Sequence, residues 1–130
     1  MKHMIEGITV SDVGSVVSLE ELNRLKERAG EVLISDSLIA YAAECVDATR
    51  EHERVQLGAS PRALLAWVKA AKAYAFIEGR EYVTPDDLKI LAPYVLAHRL
   101  ILTQHSAKET AGAAAVVQEI LRKVRVPIGK

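Results

Sequence analysis

The stretch LGASPRALLAWVKAAKAYAFIEG, residues 57–79, decides the fold because it predicts one long helix with clear signals at both ends. Ser60 is a favourable N-cap residue, and Pro61 suits the first helical position, where its missing N–H would have no partner anyway. Gly79 can adopt the left-handed conformation with which many helices end. The sequence therefore predicts a helix that begins at Ser60 and ends near Glu78.

This helix is apolar on nearly every side. On a helical wheel its polar side chains form one narrow strip, apart from a separate Glu78, and that strip contains Arg62, Lys69 and Lys72. A helix with so little polar surface lies at the centre of its domain. We therefore expect Trp67 and Phe76 to be mostly buried.

Arg62 raises an electrostatic question because it stands in the first turn of the helix. The N-terminus of a helix carries a partial positive charge, so a cation there is unfavourable unless an anion lies nearby. The residues alone leave several interpretations open. Arg62 is a surface arginine, it pairs with an acid such as Asp47 or Glu51, or it contacts an anion that the chain does not contain.

The composition predicts one helical domain in a reducing compartment. Half of the 130 residues are hydrophobic, 26% are charged and only 5% are aromatic, which favours packed helices over a β-sandwich. The formal net charge is zero, which argues against general nucleic-acid binding. No apolar run is long enough to span a membrane. The single cysteine, Cys45, has no partner for an internal disulfide, so we expect the cytosol and a buried structural role.

The charges are distributed unevenly along the chain. Residues 1–60 hold 6 Lys/Arg and 11 Asp/Glu, a net charge of −5, whereas residues 61–130 hold 11 and 6, a net charge of +5. Either the two halves attract each other within one fold, or the basic half faces an anionic ligand or partner.

Two helices are predicted before the central one. Ser18 and Glu21 form a capping box at the start of the first, which ends at Gly30 and carries a stripe of leucines at 19, 22 and 25. The second begins at Ser35, and its inner face is predicted to consist of Leu38, Tyr41, Ala42 and Cys45. The segment EHERVQLG, residues 51–58, is predicted to be a polar connector.

Two short β-forming runs each lead directly into a capped helix. They are VLIS at 32–35 and YVTPDDL at 82–88, and we expect residues 32–34 to pair with residues 81–83. In the second run, Thr84 is the cap, Pro85 takes the first helical position and Asp87 completes a capping box.

The remaining elements are short. Pro93 is expected to divide the fourth helix into two pieces at an angle, because proline removes a hydrogen bond from a helix interior. LILT at 100–103 is predicted to be a third extended run. A last helix is expected from about 108 to 124, with an apolar stripe made by Val116, Val117, Ile120, Leu121 and Val124.

The chain lacks the motifs of a catalyst. There is no phosphate loop, no Asp-Glu dipeptide to hold Mg²⁺, no G-x-S-x-G and no H-E-x-x-H. The four histidines have no metal-ligand spacing. Asp86 and Asp87 are adjacent carboxylates, but they stand where helix caps stand. We expect no catalysis by these residues alone.

Two stretches resemble the C-terminal lid of the MoxR family of AAA+ ATPases. One is LGASPRALLAWVKAAKAYAFIEGREYVTPDDLKILAPYVLAHRLIL, residues 57–102, and the other is VVSLEELNRLKERAGEVLISDSLIAYAAECVDATREH, residues 16–52. The resemblance covers roughly residues 13–103, and its most specific part is GASPRA at 58–63. The related magnesium-chelatase ATPase subunit has a similar lid.

The resemblance implies a mainly α fold, a compact helical bundle of the AAA+ lid type with two or three very short β-strands. It places this lid at residues 18–126. Residues 1–17 would then be a leader and linker from an absent ATPase core, and residues 127–130 a tail.

The resemblance also implies a nucleotide site. In this family the arginine of the Ser-Pro-Arg run is the sensor 2 residue, which reaches the γ-phosphate of ATP bound on the core. The matching residue here is Arg62, flanked by Ala59, Ser60 and Pro61. ATP and Mg²⁺ would be bound by the parent protein, and no cofactor is expected on the fragment alone.

The partners implied by the resemblance are the chain's own AAA+ core and the neighbouring subunits of a homo-oligomeric ring. Proteins with von Willebrand A domains are further expected partners in a chaperone-like, cytoplasmic role. Neither nucleic acid nor a membrane is among them.

Two other functions stay open. The chain could be a free-standing helical interaction module that uses the leucine stripe of the first helix or the apolar stripe of the last. It could also be a histone-like DNA binder, although the neutral net charge argues against that.

Overall fold

The computed structural model describes residues 9–104 and 112–127. Within them the fold is mainly helical, as predicted, with one two-stranded sheet. Short 3-10 helices cover Val10–Asp12 and Ala97–Arg99. The main elements in chain order are α1 (Leu19–Gly30), α2 (Asp36–Glu51), β1 (Val55–Leu57), α3 (Pro61–Ile77), α4 (Pro85–Leu96), β2 (Ile101–Leu102) and α5 (Gly112–Lys123).

Helix α3 is the centre of the fold, as its apolar surface predicts. It packs against α1, α2 and α4, and one face of it is fully buried, made by Ala63, Trp67, Ala71 and Ala75. The Trp67 indole N–H donates to the carbonyl oxygen of Leu88 at 2.9 Å, which joins α3 to α4. Phe76 is partly buried beneath the Arg28 guanidinium, 5.6 Å from the centre of the ring.

Helix α3 ends at Ile77 with Glu78 as its C-cap, close to the predicted end, and Gly79 follows the cap. Gly79 has a φ of +80°, and its N–H donates to the carbonyl oxygen of Phe76 at 3.0 Å. The Arg80 N–H donates to the carbonyl oxygen of Ala75 at 2.9 Å. These two bonds satisfy carbonyl groups that a helix end would otherwise leave unpaired.

The predicted pairing of residues 32–34 with 81–83 is present as one parallel bridge between Leu33 and Tyr82. The Leu33 N–H donates to the backbone carbonyl oxygen of Glu81 at 2.9 Å, and the Val83 N–H donates to the carbonyl oxygen of Leu33 at 2.8 Å. Because α2 and α4 begin just after these residues, the bridge holds the starts of two helices together.

The polar segment at 51–58 leads to α3 as expected, but it also contains a strand that the sequence did not predict. Residues Val55–Leu57 form β1, which pairs antiparallel with β2. Val55 turns into the core while its two neighbours on the strand are exposed. Three residues among charged neighbours are too short a run to reveal this pattern, whereas the extended run predicted at 100–103 is confirmed as β2.

The predicted break at Pro93 is also wrong, since α4 continues through this residue to Leu96. Ala92 and Leu96 lie on the buried side of the helix and are 0% and 2% exposed. Burial of this face holds the helix together although Pro93 cannot donate a backbone hydrogen bond.

Helix α5 closes the core with its apolar stripe. Val116, Val117, Ile120 and Leu121 are buried, and Val124 is partly buried just beyond the end of the helix. The predicted start at about residue 108 lies outside the described residues. Since the stripe faces the domain's own core, it does not provide a surface for a partner.

Candidate functional site

Thr49, near the end of α2, holds the loop that leads into α3. Its side chain is buried, its hydroxyl donates to the carbonyl oxygen of Val46 at 2.6 Å, and its oxygen accepts the Ala59 N–H at 2.9 Å. Both hydrogen-bonding functions of the hydroxyl are therefore used, one within α2 and one across to the loop.

Arg50 bonds the carbonyl group of Ala59, the residue whose N–H is bonded by Thr49. Its Nε donates to the carbonyl oxygen of Ala59 at 3.1 Å. Its Nη1 lies 3.4 Å from the Asp47 carboxylate on the surface of α2. Adjacent residues of one helix thus bond both backbone polar groups of Ala59, which is itself buried.

Gly58 allows this close contact. A Cβ atom at this position would lie 2.7 Å from the Arg50 backbone nitrogen and 2.8 Å from its Cα. Real Cβ atoms essentially never approach backbone so closely, so the loop backbone fits against α2 only where there is no side chain.

Ser60 takes the N-cap position as predicted, but its side chain makes no capping hydrogen bond. Its carbonyl oxygen accepts the Ala63 N–H at 2.9 Å, which starts the helix. Pro61 occupies the first helical position. The start of α3 is therefore held by α2 rather than by its own cap side chain.

Arg62 follows on the surface. It is exposed, and within residues 9–104 and 112–127 it has no hydrogen-bond or ion-pair partner. Asp47, one of the acids that could have paired with it, instead lies next to Arg50. An exposed guanidinium, unpaired within the described part of the chain, therefore stands at the positive end of a helix, which is an arrangement suited to an anion.

The predicted polar strip of α3 divides into two parts. Arg62 and Lys69 are exposed on the same side of the helix, with the exposed Leu65 between them. Lys72 is partly buried, and its ammonium donates to the carbonyl oxygen of Gly30 at 3.3 Å. Lys72 therefore stabilises the C-terminus of α1, whereas Arg62 and Lys69 are exposed between the start and the middle of α3.

Other reactive groups have structural surroundings. Cys45 is fully buried, and burial raises the pKa of its thiol to about 11, so it is not a nucleophile at neutral pH. Asp87 forms the predicted capping box with Thr84. No group of three or more His, Cys, Asp or Glu residues that could hold a metal occurs in the described part of the chain.

Helix α1 presents a second exposed feature. Its three leucines, Leu19, Leu22 and Leu25, are 73%, 39% and 42% exposed, and α1 contains no buried residue. The valines of the preceding segment, Val10, Val13, Val16 and Val17, are exposed as well. In the described ranges no helix is both long enough and apolar enough to cross a membrane.

The comparisons with known proteins agree with this architecture. Residues 47–120 match the AAA lid domain family, and the match includes both Thr49 and Arg62. The chain belongs to this family and is a lid domain of the MoxR type of AAA+ ATPase.

Two relatives and one solved structure illustrate the likeness. YeaC of Bacillus subtilis is 42% identical over 113 residues, which are 87% of this chain and 35% of the relative. Chaperone MoxR1 of Mycobacterium tuberculosis is 34% identical, over 93% of this chain and 34% of the relative. The crystal structure of a putative ATPase from Cytophaga hutchinsonii superposes with a TM-score of 0.82 at 34% identity, over 89% of this chain and 38% of that one. The chain thus spans about a third of the length of each of them.

The sequence singled out Arg62 and its flanking residues as a candidate site but did not indicate how they are held in place. The structure brings Ala59, Ser60, Pro61 and Arg62 together at one helix start, with Ala59 inside and the other three exposed. The Ala-Thr-Arg run at 48–50 lies inside the second of the two stretches that resemble the MoxR lid. Nothing in its pattern predicted that Thr49 and Arg50 bond the residue next to the Ser-Pro-Arg run.

Proposed function

We propose that this lid carries the sensor 2 arginine of an ATPase, and that Arg62 contacts the γ-phosphate of ATP bound on the preceding core. The observation that supports this most is the exposed guanidinium of Arg62 in the first turn of the central helix, which has no partner among the residues that the structure describes. Lid residues 18–126 would follow the core, with residues 1–17 as the linker and residues 127–130 as a tail.

The side chains at this helix start fit a phosphate. A guanidinium is permanently charged, and its planar fork can donate two parallel hydrogen bonds to phosphate oxygens. The helix start adds a partial positive charge and backbone N–H groups that favour an anion. The exposed Ser60 hydroxyl makes no capping bond, so it is free to donate there.

The proposed mechanism is a nucleotide-dependent switch. Arg62 stabilises the negative charge of the phosphoryl group during its transfer, which lowers the barrier to hydrolysis. Once the γ-phosphate leaves, this contact is lost. The lid then has a different affinity for the ADP state of the core, and this difference can drive a rigid-body movement.

The remaining parts of the function would come from outside the chain. The core would supply the phosphate loop and the Mg²⁺ site, and neighbouring subunits of a homo-oligomeric ring would contact the lid. A chaperone-like role belongs to the same proposal, and the name of the relative Chaperone MoxR1 supports it. Partners with von Willebrand A domains and a cytoplasmic location are part of the proposal on the family resemblance alone.

The test is ATP hydrolysis by the full-length protein that carries this lid. Arg62→Ala should lower kcat by about 100-fold or more, because one charge contact to a transferring phosphoryl group is worth several kcal/mol. Arg62→Lys should recover part of the loss, since a point charge lacks the fork. Lys69→Ala, an exposed cation two turns along the helix, is the matched control and should change kcat little. A fully active Arg62→Ala variant would overturn the assignment.

A second candidate function is a helical interaction module without a nucleotide role. The exposed leucine stripe of α1 favours it, whereas the buried stripe of α5 does not support it. The variant Leu22→Ser/Leu25→Ser separates the two functions when it is measured beside Arg62→Ala. If the chain is an interaction module, the leucine variant should lose partner binding and Arg62→Ala should change nothing. If the chain is a nucleotide-dependent lid, Arg62→Ala should lower ATP hydrolysis.

A further inference from the structure

Thr49 and Arg50, both on α2, hydrogen-bond the loop that leads to Arg62. We infer that Thr49 and Arg50 are positioning residues for Arg62, acting through the backbone of Ala59. This inference rests on the proposed nucleotide role of Arg62. It assigns to the Ala-Thr-Arg run at 48–50 the task of fixing where the guanidinium stands relative to its phosphate.

Only a short stretch of backbone separates Ala59, which Thr49 and Arg50 bond, from Arg62. Ala59 is bonded at both its N–H, by Thr49 at 2.9 Å, and its carbonyl oxygen, by Arg50 at 3.1 Å. Only Ser60 and Pro61 separate it from Arg62. The φ angle of Pro61 is fixed by its ring, and Ser60 is extended, with φ −91° and ψ 168°. Few torsions therefore remain free between the bonded residue and the start of the arginine side chain.

The start of α3 also lacks a side-chain hydrogen bond from its own N-cap residue. Helix starts are commonly fixed by the N-cap side chain, and Ser60 is a residue type that does so. Here its hydroxyl makes no capping bond. Thr49 and Arg50 instead hold the loop from a neighbouring helix, while Ser60, Pro61 and Arg62 are all exposed.

The part of α2 that carries Thr49 and Arg50 is itself firmly held. Thr49 is buried, and its donation to Val46 at 2.6 Å fixes the orientation of its hydroxyl. His52, at the end of α2, lies 2.7 Å from the Glu119 carboxylate of α5 and so anchors this end of the helix to the domain. Gly58 permits a backbone contact with Arg50 that any side chain would prevent. A displacement of about 1 Å at a catalytic contact can cost on the order of 100-fold in rate, so this rigidity is functionally relevant.

The experiment is a double-mutant cycle on ATP hydrolysis by the full-length protein. Thr49→Val keeps the shape of the side chain and removes the hydroxyl, Thr49→Ser restores it, and Arg50→Met removes the Nε donor. Each is made alone and together with Arg62→Ala. Cys45→Ala is the control for lost stability, since Cys45 is fully buried on α2 one turn before Thr49. Asp47→Asn controls for the surface ion pair of Arg50.

Thr49→Val and Arg50→Met should each lower kcat by roughly 10- to 100-fold with the KM for ATP changed less than about threefold. Thr49→Ser and both controls should stay within about threefold of the parent. In the Arg62→Ala background the same two changes should lower kcat by no more than about twofold, because their effect passes through the missing arginine.

The remaining outcomes are distinct. If Arg62→Ala lowers kcat but Thr49→Val lowers it equally with and without Arg62, the threonine is only structural and the inference is overturned. A residual effect of Arg50→Met in the Arg62→Ala background would mean that Arg50 contacts the nucleotide itself, which also overturns it. If Arg62→Ala leaves kcat unchanged, the proposed function fails first, and the positioning role fails with it.

Discussion

Arg80 meets Asp87 with both arms of its guanidinium, Nη1 at 2.7 Å from Oδ2 and Nη2 at 2.6 Å from Oδ1. The Asp87 side chain is buried, whereas Arg80 is partly exposed. The same carboxylate accepts the Thr84 N–H at 2.8 Å, and Arg80 also donates to the carbonyl oxygen of Tyr82 at 3.1 Å. One ion pair therefore joins the turn after α3 to the cap of α4.

The first prediction concerns this pair. Arg80→Met should lower the Tm of the chain by roughly 5 °C or more, because it leaves a buried carboxylate without its charged partner. Arg122→Met, an exposed arginine at the end of α5, is the control and should shift Tm little. Thermal unfolding followed by circular dichroism measures both. Equal Tm values for the two variants would show that the ion pair contributes nothing measurable.

The second prediction concerns acid. Burial raises the pKa of Asp87, but hydrogen bonds from Arg80 and from the Thr84 backbone lower it more, so the pKa lies below its usual value of 3.8. A carboxyl whose pKa is lower in the folded chain stabilises the fold fully above its unfolded pKa, and this contribution is lost as pH falls through the folded value.

Asp87→Asn has no carboxyl to titrate at this position, so the comparison isolates that group. The difference in free energy of unfolding between the parent and Asp87→Asn should be largest near neutral pH and should shrink below about pH 4. Urea unfolding at a series of pH values measures it. A difference that stays constant from pH 7 to pH 3 would contradict the prediction.

The sequence predicted those elements whose signals are local. The caps at Ser18, Ser35 and Thr84 and the left-handed Gly79 are all present, since each depends only on residues within one turn. The apolar wheel of α3 correctly predicted a central helix. The predicted break at Pro93 is wrong because burial of a helix face outweighs one missing hydrogen bond. That burial is set by residues distant in sequence.

The candidate site was predictable only in part for the same reason. Arg62 is conspicuous because a cation in a first turn contradicts the helix dipole. Its support comes from Thr49 and Arg50, which are nine or more residues from Ala59, and from the close approach at Gly58. Hydrogen bonds between a helix and a distant loop leave no periodic pattern, so only the folded structure identifies them.

The third prediction separates a surface residue from a core residue. Arg62→Ala should change the free energy of unfolding of the chain by less than about 0.5 kcal/mol, since its side chain is exposed and has no partner in the described ranges. Trp67→Ala should cost about 3–5 kcal/mol, because Trp67 is fully buried and donates to Leu88. Chemical denaturation of both variants measures this. A strongly destabilised Arg62→Ala variant would identify a structural arginine.

The last prediction concerns the close approach of loop and helix. Gly58→Ala would place a Cβ 2.7 Å from the Arg50 backbone nitrogen, so either the loop or α2 must move. The cost should be about 1–3 kcal/mol of unfolding free energy, as for other overpacked sites. Because the movement also displaces Ala59, hydrogen exchange of the Ala59 amide should become faster than in the parent chain.

Gly30→Ala is the matched control for that change. Gly30 lies within α1, its φ is not positive, and a Cβ there would meet nothing within 4 Å. It should therefore stabilise the chain by about 0.5–1 kcal/mol through helix propensity and leave the exchange of the Ala59 amide unchanged. If Gly58→Ala is as stable as the parent and exchanges Ala59 at the same rate, the loop tolerates a side chain. The contact with Arg50 then does not fix the start of α3.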